Sequence, residues 1–281
     1  MNLFNIINEI EKIDPEFNDK LSPRRAAIKN ITSFGSKVTL AAIPFALGTM
    51  LKRAYAADSV IPGVIEILNF ALTLEYLESS FYNLATGNGT VIPADTLPYF
   101  ITIRDDENKH VTFLSSAIIT LGGTPVASPN FDFSGGSGTL TGPFTDVFTN
   151  YATFLKVATI FEDTGVRAYK GQASNLLSNK DVLTAVLAIH AVEARHASAV
   201  RQILKISPWI TSTATLGNDT GISLADANYQ GEENVIQGGI DVTKLPALAG
   251  NATDIAVATA AFDEPLTMAQ VQNLIKIFIQ P

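Results

Sequence analysis

The chain has 281 residues, a formal net charge of −8 at pH 7 and no cysteine. This length allows one domain with a sizeable core and additional extensions. The lack of cysteine excludes disulfides, thiolate metal sites and cysteine catalysis. Nucleic-acid binding would require a basic stripe, and the sequence after residue 58 has none, so we expect no nucleic-acid partner.

In residues 1–57 a charged region, an apolar run and small residues follow one another in the order typical of an export signal. Arg24 and Arg25 precede an apolar run of 13 residues, Val38 to Met50, which is followed by the small-residue sequence AYAA. These are the parts of a signal peptide, and the paired arginines resemble those of a twin-arginine signal. The apolar run is too short to span a membrane comfortably. The segment therefore predicts a periplasmic or secreted protein without a stable membrane span; the alternative is an amphipathic helix that packs on the rest of the protein or on a partner.

Four helical stretches are predicted within residues 58–206. Apolar periodicity and terminating Gly and Pro residues place them at about residues 59–85, 94–121, 143–172 and 181–206. A segment rich in Gly, Ser, Pro and Thr, residues 122–143, joins the second stretch to the third. So long a connection is uncommon between neighbouring elements, but it is typical of the crossover in one class of four-helix bundle.

A C-terminal extension, residues 207–281, differs in composition from the helical stretches. Its first part, up to residue 265, is dominated by Thr, Gly, Asn and Asp and has little periodicity. Residues 268–278 predict a short helix with one apolar face. We therefore expect a loop-rich segment that packs on the bundle and ends in a short closing helix.

The helical stretches carry a repeated set of glutamates and histidines. Glu107 and His110 are three residues apart on the second stretch, and the same spacing recurs on the fourth. Residues i and i+3 share one face of a helix, so each Glu–His pair can bind one ion. Another glutamate precedes the two pairs by 32 and 31 residues. The candidate metal ligands are Glu75, Glu107, His110, Glu162, Glu193 and His196.

This residue set predicts a site for two metal ions. A buried carboxylate without a partner is costly, so four of them in one core make sense mainly around cations. Imidazole and carboxylate together suit iron, manganese or zinc, and oxygen-rich bridging favours iron or manganese. We expect two iron or manganese ions, with zinc as an alternative, bridged by Glu107 and Glu193.

The repeat extends beyond the candidate ligands. Tyr82 and Tyr169 each follow their glutamate by seven residues, about two helical turns, and so return to the same face. They are predicted as core residues that donate hydrogen bonds or, alternatively, as redox participants. Glu78 is predicted as a seventh ligand, a neighbour of the ligands or a surface residue, and its counterpart in the repeat is Gly165.

Three further polar residues lie close to the ligands in sequence. Asp106 and Asp163 each adjoin a candidate ligand and are predicted to hold a histidine by its other ring nitrogen. His190, three residues before Glu193, is predicted as a core or surface residue instead of a ligand.

With this pattern the chain resembles the ferritin-like superfamily of di-metal carboxylate proteins. Within it, the resemblance is to the secreted or periplasmic ferritin-like domain group related to desiccation-related proteins. It covers roughly residues 58–206, and the phrase AFDEPLT, Ala261 to Thr267, is also typical of that group. The resemblance implies an all-α ferritin-like four-helix bundle, made of two helical hairpins with a long crossover, and carries all six ligand positions over without substitution.

Two functions from different classes are compatible with these expectations. The first is a di-iron or di-manganese oxidoreductase, ferroxidase or catalase-like, that acts on ferrous iron, dioxygen or peroxide in stress protection. The second is a structural or interaction protein of the cell envelope or matrix, in which metal only stabilises the bundle. The sequence is compatible with a homodimer.

Overall fold

The computed structural model describes residues 62–87, 91–210, 227–245 and 255–281. The segment predicted as an export signal lies outside the described residues. The predicted all-α bundle is confirmed, and its long helices are α1 (Pro62–Gly87), α2 (Leu97–Thr120), α3 (Tyr151–Ala173) and α4 (Lys180–Ile203). Helix α1 packs along α2 and α3 packs along α4, so the chain forms two helical hairpins. Within the described ranges, no helix combines the length and apolar character needed to cross a membrane.

Helix α3 begins later than the sequence predicts. The predicted start near residue 143 is wrong, because residues 143–149 form turns and the helix starts at Tyr151. Asn150 has an extended backbone, and its side chain accepts hydrogen bonds from the N–H groups of Ala152 and Thr153. An Asn in this position satisfies donors that have no partner within the helix, which fixes the helix start.

The crossover between α2 and α3 is organised by one buried carboxylate. Asp132 has no exposed surface. It accepts hydrogen bonds from the backbone N–H groups of Ser134, Gly138 and Leu140 at 2.8 to 3.0 Å, and from the Ser134 hydroxyl at 2.6 Å. The N–H of Asp132 in turn donates to the carbonyl of Phe278 at 2.8 Å. The crossover is therefore tied to the end of the chain.

The described parts of the C-terminal extension contain short regular elements. Strands β1 (Ile236–Gln237) and β2 (Ile240–Asp241) form an antiparallel hairpin, and helix α5 spans Ile255–Ala260. Helix α6 (Met268–Ile275) and a following 3₁₀ turn, which ends at Phe278, confirm the predicted closing helix. The hairpin and α5 were not predicted, because both are too short to show periodicity.

Buried charges join the extension to α3. The Arg167 Nε lies 2.8 Å from Glu232 Oε1, and both side chains are almost completely buried. The N–H of Leu266 donates to the carbonyl of Arg167 at 3.1 Å. At Gly171 a Cβ would lie 1.9 Å from the carbonyl oxygen of Leu266, so only glycine permits this close approach.

Two apolar clusters fill the bundle on either side of its centre. The first includes the aromatic rings of Phe81 and Phe154, which stack with their centroids 5.2 Å apart. The second includes Leu72 and Leu114. Helix α1 contributes to both clusters, and Glu75 lies on it just beyond Leu72. The polar centre is therefore enclosed by apolar packing along the bundle axis.

We predict that Asp132→Ala lowers the free energy of unfolding by about 3 kcal/mol, because it leaves several buried N–H groups without an acceptor. Asp132→Asn retains one acceptor oxygen and should cost less. Urea denaturation measures both effects. Asp95→Ala, at an exposed position, serves as the control. A loss for Asp132→Ala no larger than that of the control would contradict the role assigned to this carboxylate.

Candidate metal centre

The six predicted ligands converge at the centre of the bundle. The four glutamates have no exposed surface, and the exposed fractions of His110 and His196 are 8% and 5%. They form two groups in which the ligand atoms lie within 4.8 Å of one another. One group is Glu75, Glu107, His110 and Glu193; the other is Glu107, Glu162, Glu193 and His196. Glu107 and Glu193 belong to both groups, which is the arrangement expected of bridging carboxylates.

Each group is centred on one imidazole nitrogen. His110 Nδ1 lies 3.1 Å from Glu75 Oε2, 3.1 Å from Glu107 Oε2 and 3.3 Å from Glu193 Oε1. In the other group, His196 Nδ1 lies 2.7 Å from Glu107 Oε1 and 3.5 Å from Glu162 Oε2. One ring nitrogen carries at most one proton. A single proton therefore does not account for two or three surrounding carboxylate oxygens.

Several buried atoms of the centre have no hydrogen-bond partner within the described residues. They are Glu107 Oε1, Glu162 Oε2, both carboxylate oxygens of Glu193, and His196 Nδ1. Although His196 Nδ1 and Glu107 Oε1 are only 2.7 Å apart, their orientation does not make a hydrogen bond. Such a contact between two acceptors is repulsive unless a proton or cation is shared between them. The donor set therefore fits a pair of cations.

Electrostatics at the centre favour bound positive charge. Burial, together with the charge of Glu107, raises the pKa of Glu193 to about 8. Burial also raises the pKa values of Glu107 and Glu162. For His110 and His196 burial acts against the charged form, but the neighbouring carboxylates outweigh it and raise both pKa values well above 6.5. Without metal, the centre therefore retains protons that a cation would displace.

The two tyrosines of the repeat form crossed hydrogen bonds between the hairpins. Tyr82 on α1 donates to Glu162 Oε1 on α3 at 2.5 Å. Tyr169 on α3 donates to Glu75 Oε1 on α1. Burial raises the pKa of both hydroxyls, so they keep their protons and act as donors. The prediction that they are core residues donating hydrogen bonds agrees with this arrangement, and they orient the two unshared carboxylates.

The two aspartates next to ligands behave differently. Asp106 Oδ2 lies 3.5 Å from His196 Nε2, the outer ring nitrogen, as predicted, and this interaction lowers the pKa of Asp106. The prediction for Asp163 is wrong. Its carboxylate pairs with Arg201 at 2.5 and 2.8 Å and accepts a hydrogen bond from Tyr229 at 2.7 Å. Successive helical residues are turned by about 100°, so Asp163 points away from the centre when Glu162 points into it.

Glu78 is buried at the centre, whereas His190 lies outside it. Glu78 is 2% exposed, so the surface alternative for this residue is wrong. His190 is partly exposed and lies outside both ligand groups, in agreement with its prediction as a core or surface residue.

Sequence reasoning missed the charged residues that surround the centre on the side of the extension. Arg167 and Arg201 are each 1% exposed. In the sequence each arginine follows a candidate ligand by five residues and lies in a helical stretch that carries other charges as well. This pattern equally describes a charge on a solvated helix face, so it did not identify them.

Comparison with known proteins is consistent with this architecture. A family model described as a ferritin-like domain matches residues 63–205, about half of the chain. No curated protein matches the chain. The matched region begins in the first turn of α1, ends just beyond α4 and includes all six converging residues. The chain therefore belongs to the ferritin-like domain family.

Proposed function

We propose that this protein binds two iron or manganese ions and acts as an oxidoreductase on dioxygen, peroxide or ferrous iron. The observation that carries the proposal is the pair of overlapping Glu/His groups, which share Glu107 and Glu193. Two overlapping groups with a common pair of carboxylates provide for two adjacent ions. Oxygen-rich donors with one imidazole per ion favour iron or manganese.

Each residue of the two groups has a distinct proposed role. Glu107 and Glu193, which belong to both groups, would hold both ions, Glu75 and His110 would hold one ion, and Glu162 and His196 would hold the other. When bound, the ions supply Lewis acidity and a change of oxidation state. The crossed tyrosine hydrogen bonds hold the two unshared carboxylates in place, and Asp106 orients His196 through its outer nitrogen.

A small apolar cavity supports the proposal that the oxidant is small and neutral. It has a volume of about 10 Å³ and extends between α1, α3 and α4 to Tyr169, whose hydroxyl donates to Glu75. Its other lining residues are Ile67, Phe70, Ala71, Leu74, Ala168, Gln172 and Val186. This volume is at the lower limit for holding one water-sized molecule. An apolar lining suits dioxygen better than a charged substrate.

One observation favours the structural alternative. The four glutamates of the two groups have no exposed surface, and structural metal sites are typically closed, whereas catalytic sites keep an open position. In this alternative the ions only stabilise the bundle of an envelope or matrix protein, and zinc would serve equally well.

The protein is proposed to work in the periplasm or outside the cell. This rests on the order of Arg24, Arg25, the apolar run and the small residues in the N-terminal sequence. The AFDEPLT phrase supports a relation to the desiccation-related group, and with it a role in stress protection. Mass spectrometry of the mature N-terminus from the native host tests the location. An intact Met1 on the mature protein would contradict export with cleavage.

We predict that Glu107→Gln combined with Glu193→Gln abolishes stoichiometric metal binding, because it removes both shared carboxylates while preserving side-chain size. Elemental analysis after loading and dialysis measures the bound ions. Glu66→Gln, an exposed glutamate on α1, is the control and should retain wild-type metal content. Unchanged metal content in the double variant would refute the ligand assignment.

Metal-induced stabilisation should increase with pH. The folded, metal-free protein holds a proton on Glu193 up to a pKa of about 8, against an ordinary value of 4.5. That proton stabilises the metal-free fold in acid, and this stabilisation is lost as pH rises through 8. The pKa values of His110 and His196 are also raised, so their protons likewise make the metal-free fold less stable as pH rises above 6.5. Metal must displace these protons, so each displaced proton strengthens binding about tenfold per pH unit.

Thermal melting with and without Mn²⁺, between about pH 5.5 and pH 8.5, measures this effect. The melting temperature of the metal-free protein should fall with rising pH, while the increase caused by metal should grow. The double glutamine variant should show no increase at any pH. An increase that shrinks as pH rises would contradict proton displacement at this centre.

The enzymatic proposal is tested by turnover of the metal-loaded protein. Iron- or manganese-loaded wild type should consume dioxygen or peroxide, or oxidise ferrous iron, faster than the double glutamine variant in the same buffer. An oxygen electrode and a peroxide assay measure the rates. Full metal content without any of these activities would reject the oxidoreductase and support the structural alternative.

A further inference from the structure

Glu78 is a fifth buried glutamate at the metal centre. It follows Glu75 by three residues on α1 and therefore lies on the same helix face. Only 2% of its surface is exposed, and its Oε2 has no hydrogen-bond partner within the described residues. Burial raises its pKa, and the charges of Glu193 and Glu107 act in the same direction. A buried carboxylate that lacks a hydrogen-bond partner is unfavourable unless a proton or a cation neutralises it.

The carboxylate of Glu78 lies beside Gly165 on α3. A Cβ at Gly165 would lie 3.2 Å from Glu78 Oε1 and 2.9 Å from Glu193 Oε2. Glycine in a helix interior is less favourable than alanine. The backbone of Gly165 is helical and its φ is not positive, so glycine is not required by the backbone conformation, and its lack of a Cβ avoids tight contacts with the ends of the two carboxylates.

Glu78 and Gly165 occupy equivalent positions in the two hairpins. Each follows the first candidate ligand of its hairpin, Glu75 or Glu162, by three residues. One hairpin therefore supplies an additional carboxylate and the other supplies the space for it. The six residues of the two ligand groups obey the repeat, whereas this position breaks it, so the surroundings of the two ions differ.

We propose that Glu78 is a seventh ligand, whose carboxylate binds one ion of the pair from beside Glu193, where α1 faces α3. Glu78 lies outside the two tight ligand groups, which places it at the edge of the site. It thus adds negative charge to one position and makes the two ions unequal in affinity. This inference rests on the proposed two-metal function.

The test compares Glu78→Gln with Glu66→Gln, the same change at an exposed position of the same helix. Stepwise titration of the metal-free full-length protein with Mn²⁺ gives two affinities. Loss of one ligand should weaken one binding step by about tenfold or more and leave the other nearly unchanged. Glu78→Asp, which keeps the charge but shortens the reach, should weaken the same step to a smaller extent.

Stability of the metal-free protein separates a ligand from a structural residue. Glu78→Gln should keep or raise the metal-free melting temperature, because it replaces a buried acidic group that lacks a partner. A lowered melting temperature with both Mn²⁺ affinities unchanged would overturn the inference in favour of a structural role. If the wild type binds two ions and Glu78→Gln binds them identically, this inference alone fails. If the wild type binds none, the proposed function fails with it.

Discussion

Five buried carboxylates and two imidazoles share the centre of this bundle, and the other features of the structure follow from holding them together. Within the part of the chain that the structure describes, four of these glutamates form ion pairs with the two histidines. Like charges in a low-dielectric interior repel strongly. Apolar clusters on both sides, rigid helices and crossed tyrosine hydrogen bonds keep the carboxylates in place despite that repulsion.

The charged residues at and around this centre form an inner and an outer layer, which differ in their balance of positive and negative charge. The inner layer has an excess of carboxylates, whereas the outer layer pairs Asp163 with Arg201 and Arg167 with Glu232. Asp163 pairs with Arg201 within the bundle and accepts a hydrogen bond from Tyr229 of the C-terminal extension, whereas Arg167 pairs with Glu232 of the extension itself. Removing the extension would therefore leave Arg167 without its carboxylate partner. Breaking a buried pair in this way is strongly destabilising. The extension is therefore part of the folded unit around the site.

Helical periodicity, the repeated spacing of Glu and His, and the family resemblance together predicted the bundle and the convergence of six residues. The i, i+3 spacing of Glu107 and His110 fixes their common face in any helix, and the repeat supplies the partner helices. Residues whose environment depends on distant neighbours were not predictable in this way. Asp163 turns toward Arg201 and Tyr229, contacts that no local spacing specifies. Glu78 likewise lies beside a glycine of another helix, a neighbour that its own local spacing does not specify.

The crossover permits a site that a pair of identical hairpins would not form. Two separate, symmetric hairpins must carry the same residue at the positions of Glu78 and Gly165. Two glutamates there would compete for one space, and two glycines would leave a void. Because residues 121–150 join the hairpins covalently, each half is free to diverge from the other. A single chain can therefore evolve two chemically different metal positions from one ancestral hairpin, which a homodimer of that hairpin could not do by point mutation.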